Sequence, residues 1–228
     1  VPYDMEGQAH GSGATGGVVQ TVSRGVYDIS GAHLYPLPET RAELISASQA
    51  LQEPKQTVLL LGDRATKAEF TSQPLAQFKI IHFAVHGIST PNFPERDALV
   101  LGRQSNSTDD GLLQVRQIAQ LKLNADLVTL SACNTGTGKL EGEEGIIGLT
   151  QAFLFAGART VASSLWPVDD TSTEILMTQF YAHLARGEDE ALALREAKLD
   201  YLKENPDKPP IFWAPFVLVG DASKPIHF

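Results

Sequence analysis

At 228 residues and 24.6 kDa, the chain has the length of one α/β domain. Apolar residues make up 43% and charged residues 20%, which excludes global disorder, collagen and coiled coil, and no apolar run reaches the ~18–20 residues of a membrane span. Lys plus Arg number 18 against 27 Asp plus Glu, a net charge of −9 that opposes nucleic-acid and anionic-membrane binding and favours basic partners or basic substrate segments.

Residues 1–34 hold seven glycines and few large apolar side chains, which predicts a Gly-rich leader with a short strand at most, around Val18–Val22. Gly11–Gly16 formally matches G-x-G-x-x-G, but a strand-like run follows it where a dinucleotide site needs a helix. The domain proper is expected over 35–228. Pro38-Glu39 opens an amphipathic helix ending before Pro54, and Thr57–Leu61 reads as a strand buried on both faces. Thr66 caps a helix toward Ser72. Lys79–Val85 is the second strand, Ala98–Leu101 a third, and Arg103–Gly111 a polar loop. Leu113–Leu121 reads as a short helix and Asp126–Ala132 as the fourth strand. A Gly-rich loop precedes an apolar helix over 145–156, with Phe153 and Phe155 as its core residues. A strand over Arg159–Leu165, helices over Thr171–Ala185 and Glu188–Lys203, and a last strand over Phe216–Val219 complete the chain. Alternating strands and helices predict βαβ units, hence an α/β sandwich with a mostly parallel central sheet and helices on both faces. Binding crevices in such sheets lie beyond the carboxyl ends of the strands.

Two strand ends carry reactive groups. His86-Gly87 leaves the strand IIHFAV, and Cys133 leaves the strand DLVTLSA ahead of Asn134-Thr135-Gly136. Parallel strands bring both to one sheet edge. A thiolate there is a strong nucleophile, and an imidazole nearby takes its proton or reprotonates a leaving amine. The backbone N–H groups of Gly87 and Cys133 together make a candidate oxyanion hole, each donor worth about 3 kcal/mol. Against this stands the ordinary fate of a lone cysteine, burial in the core.

The blocks KIIHFAVHG (79–87), LVTLSACNTGTG (127–138), EGIIGLTQAFLFAGARTVASSLWPVDD (144–170) and FWAPFVLVGD (212–221) resemble those of the CHAT domain. That family belongs to the caspase-like cysteine peptidases, with separase and metacaspases as relatives. The resemblance implies a caspase-like three-layer sandwich, with His86 as the catalytic histidine and Cys133 as the nucleophile. Their separation of 47 positions is similar to the caspase interval of about 50. The chain has S-A-C-N-T-G where caspases have Q-A-C-[RQG]-G, so a preference for Asp is not implied. Leu165–Asp170 is similar to the separase segment whose acidic residue receives a basic side chain. It makes Asp169 the candidate partner for Arg or Lys and Trp166 a candidate pocket wall. The alternative, compatible with the first, is that Asp169-Asp170 simply starts the next helix. Glu141, Glu143 and Glu144 read as a solvated rim that also suits a basic substrate. The family's helical-repeat neighbours make a regulatory helical-repeat domain or partner a further expectation.

His82, four positions before His86, reads as a hydrogen-bonded core histidine supporting the site. With no third ligand nearby it makes no metal site, and no cofactor is expected. His10, His33, His183 and His227 show no discernible partners. There is no G-x-S-x-G elbow and no P-loop. A single cysteine excludes an internal disulfide and favours a reducing compartment, the cytoplasm, and the opening VPYDMEGQAH lacks a signal-peptide layout. The leading expectation is therefore a cysteine endopeptidase acting on protein substrates after a basic residue. The alternatives are a catalytically latent caspase-like scaffold and a flavodoxin-like ligand-binding domain.

Overall fold

The structure, a computed structural model, describes residues 39–51, 56–88, 97–102, 108–131, 143–166 and 169–228. In chain order its elements are α1 (Thr40–Ala50), α2 (Lys67–Thr71), β1 (Ile80–Phe83), β2 (Gly87–Ile88), β3 (Ala98–Val100) and β4 (Leu112–Gln114), then α3 (Val115–Ile118) and β5 (Leu127–Leu130). After these come α4 (Glu143–Ala156), β6 (Thr160–Ser164), α5 (Asp170–Ala185), α6 (Glu190–Glu204) and β7 (Phe216–Gly220). The central sheet runs β1-β5-β6-β7, with β1, β5 and β6 parallel and β7 antiparallel to β6.

Side-chain alternation builds a core on each face of that sheet. Ile81, Phe83, Val128, Leu130 and Val161 pack with Leu149, Ala152, Phe153 and Ala156 of α4. Leu127, Ala162 and Phe216 pack on the other face with Ala47 of α1, Leu176 and Phe180 of α5, and Ala193 and Ala197 of α6. The result is the three-layer α/β sandwich expected. Helix starts follow side-chain chemistry: Thr66 accepts the Glu69 N–H at 3.1 Å and Asp189 the Leu192 N–H at 2.8 Å. Between α4 and β6, Gly157 takes φ +111°, and a Cβ there would lie 2.3 Å from the Leu123 carbonyl oxygen. Among the described residues no helix is long and apolar enough to cross a membrane.

Five sequence expectations need correction. Ala98–Val100 does not join the parallel sheet. It forms a separate antiparallel sheet in the order β2-β3-β4, because the nine residues between Ile88 and Ala98 are too few for a parallel crossover. Leu112–Gln114 is strand where helix is expected, and the helix that follows is one turn. Thr57–Leu61 enters no strand ladder of the described sheets and lines a groove beside β1 instead, since apolarity by itself specifies no pairing partner. Phe153 is fully buried but Phe155 is 82% exposed, because α4 rests on Leu149, Ala152, Phe153 and Ala156 and turns Phe155 outward. His183 also has partners: Nδ1 lies 2.9 Å from Glu188 in the turn after α5, and Nε2 lies 3.1 Å from Asp200 of α6, a contact that arises only when α5 and α6 pack together.

Candidate active site

Three parallel strands end at one level. Phe83 of β1 pairs with Leu130 of β5, and Leu130 pairs with Ser163 of β6. The Ser131 N–H donates to the Phe83 carbonyl at 3.1 Å, carrying the ladder one step past both strands. His86 follows Phe83 by three residues, and Trp166 follows Ser163 by three. Cys133 and Glu141 lie outside the described residues, and the β5 exit is described as far as Ser131. Glu143 and Glu144 open α4.

The small antiparallel sheet fixes the backbone at His86. Val100 N–H donates to the His86 carbonyl at 2.8 Å, and Gly87 pairs with Leu99 at the next position. Hydrogen-bonded and non-bonded pairs alternate in antiparallel ladders, so Gly87 takes the non-bonded place and directs its N–H away from β3. The His86 side chain is buried, at 2% exposure.

Trp166 is half-buried, and its Nε1–H donates to the Ile211 carbonyl at 3.0 Å, tying the β6 exit to the turn Pro210–Phe212. Asp169 is exposed and caps α5. Its Oδ2 accepts the Ser172 N–H at 2.9 Å and the Ser172 hydroxyl at 2.8 Å. Asp169 therefore starts the helix, one of the two compatible roles read from the sequence. Burial, reinforced by Glu43, Asp169 and Glu39, holds the adjoining Asp170 carboxyl above its ordinary range.

Beneath the strand ends lies a polar cluster on the face that packs against α1 and α5. His82 is centred in it, with Nε2 3.0 Å from Ser131 Oγ and 3.0 Å from Glu43 Oε1. The Ser131 contact is the hydrogen bond. Glu43 Oε1 comes equally close but without hydrogen-bond geometry. On the other side of the ring, Tyr181 OH lies 3.1 Å from Nδ1 and 2.9 Å from Thr129 Oγ1, and the two rings stack at 5.5 Å. Burial first, and then the Glu43 carboxylate, pushes the Tyr181 phenol up, against the Thr129 hydrogen bond. The sequence marks His82 but gives no signal for Glu43 or Tyr181, whose burial depends on how α1 and α5 dock.

The apolar groove beside β1, about 380 Å³, lies along the flank of the sheet. Its lining includes Leu59, Leu60, Ile80, Phe83 and Phe228, with His82 and Tyr181 of the polar cluster also on its wall.

The pattern of the CHAT domain matches residues 8–221, a span that starts inside the glycine-rich leader. Tetratricopeptide repeat protein 28 from Mus musculus is 28% identical over 221 residues, and its counterpart from Homo sapiens is 29% identical over 221 residues. Each match covers 83% of this chain but 9% of the relative's length.

Proposed function

The chain belongs to the CHAT domain family, and from that premise we propose that it is a cysteine endopeptidase cutting protein substrates through His86 and Cys133. In this reading Cys133 attacks the scissile carbonyl and the Gly87 and Cys133 N–H groups hold the oxyanion. His86 protonates the leaving amine, and water then hydrolyses the acyl-enzyme. The observation that carries the reading is the level exit of β1 and β5. From the paired residues Phe83 and Leu130, the chain runs three positions to His86 on one strand and three to Cys133 on the other. The Gly87 N–H, directed away from β3, supports the oxyanion assignment, and Asp169 with Trp166, next to the β6 exit, supports a preference for Arg or Lys before the bond. The lone cysteine supports action in a reducing compartment such as the cytoplasm.

Cys133→Ala is expected to abolish cleavage of peptides carrying Arg or Lys before the bond, measured by library profiling beside the wild type. Unchanged turnover in the variant would overturn the assignment.

One observation favours a second reading, a latent enzyme or scaffold: the 2% exposure of His86, which leaves a substrate little access to the imidazole. The name of the relatives, tetratricopeptide repeat proteins, supports a helical-repeat domain or partner as the regulator. An Arg-chloromethylketone that labels Cys133 favours the peptidase; absence of labelling under every activating condition favours the scaffold.

A further inference from the structure

We propose that His82 is a positioning residue for this reaction, clamping the exits of β1 and β5 together through Ser131. The inference rests on the cysteine-peptidase reading and adds to it a residue that touches neither substrate nor reacting atoms.

The geometry starts at Ser131, the first residue beyond β5. Its N–H and its hydroxyl both point at the Phe83 carbonyl, at 3.1 and 3.4 Å, and Phe83 is the last residue of β1. The same hydroxyl oxygen lies 3.0 Å from His82 Nε2, so Oγ is hydrogen-bonded to the ring as well as to the Phe83 carbonyl. Ser131 is thus held from two sides, by the end of β1 and by a side chain from within β1. A one-step slip between the strands breaks both bonds at once.

His82 is itself held by elements of a different layer. Glu43 of α1 is 3% exposed, and its carboxylate lies 3.0 Å from Nε2. Tyr181 of α5, 1% exposed, fixes Nδ1 and the ring plane, and Thr129 of β5 in turn fixes Tyr181. Three other elements, α1, α5 and the β5 exit, therefore converge on one imidazole. Burying an imidazole, a carboxylate and a phenol is costly unless each is paired, and here the pairing ends at the strand exits.

The test uses the full chain, with His82→Phe to remove the ring nitrogens at similar size and His82→Gln to restore a hydrogen-bonding group. Two readouts are taken: amide hydrogen exchange across residues 80–88 and 127–131, and kcat and KM for an Arg-containing peptide. In His82→Phe, exchange at Ser131 is expected to speed up about three- to tenfold, the range one buried hydrogen bond is worth, while β6 and β7 keep their protection. The value of kcat is expected to fall by a similar or larger factor with KM within about twofold, and His82→Gln to recover most of both. Unchanged exchange at Ser131, equal loss of protection across the whole sheet, or unchanged kcat beside faster exchange would overturn the proposal. If the wild type cleaves no peptide while Ser131 loosens in His82→Phe alone, the clamp stands and the peptidase reading is what fails. Should His82→Phe not fold, Ser131→Ala removes the same bond from the other side and is held to the same outcomes.

Discussion

Asp169 is a carboxylate with two candidate employments, and a conservative change separates them. Asn caps helices about as well as Asp, whereas Ala costs about 1 kcal/mol. Asp169→Asn is therefore expected to keep the urea midpoint of the wild type while losing preference for Arg and Lys in a peptide library. If that preference survives, Asp169 is a cap and nothing more. Asp170 beside it carries a different expectation, because its folded carboxyl is raised by burial and by Glu43, Asp169 and Glu39. A raised carboxyl means the folded state binds the proton more tightly than the unfolded chain. Its contribution to stability is thus full in acid and lost as pH rises from the ordinary value, about 4, through the raised one. Asp170→Asn should be more stable than the wild type near pH 7, with the difference closing below about pH 4, as read from denaturation midpoints across pH.

At the scale of elements, the decisive feature is the shared register of β1, β5 and β6 at Phe83, Leu130 and Ser163. Short turns set where each strand begins, and Gly157 governs one of them. Its φ of +111° and the 2.3 Å approach to the Leu123 oxygen leave no room for a Cβ. Gly157→Ala is expected to cost about 1–3 kcal/mol in equilibrium unfolding, through backbone strain and displacement of β6. The second sheet works in the same way on the other side of the site, since the β3 hydrogen bond to His86 decides where Gly87 points.

Over the whole molecule, Arg159 joins the starts of β5 and β6 to α6. Its Nη1 lies 2.9 Å from Asp126 and its Nη2 lies 2.6 Å from Glu190, which is 0% exposed. Burial pushes the Glu190 carboxyl up, and Arg159 opposes that shift. Removing the cation leaves a buried carboxylate uncompensated, so Arg159→Ala should destabilise by roughly 3–5 kcal/mol. The double variant Arg159→Met with Glu190→Leu should regain most of that loss. A double variant no more stable than the single would show that packing around the guanidinium, rather than charge, is what matters.

Much of this architecture is written locally. Apolar runs mark the parallel strands, Thr66, Asp169 and Asp189 mark helix starts, and His86 stands at a strand end because IIHFAV stops there. These features rest on neighbours within a few residues, which a linear reading captures. The antiparallel sheet of β2, β3 and β4, the outward turn of Phe155 and the contact of His183 with Asp200 were decided by packing, as was the grip of Glu43 and Tyr181 on His82. Tyr181 and His82 are 99 positions apart, and no local pattern encodes their meeting. Helices docking on a sheet bring such groups together, and burial then makes their pairing obligatory.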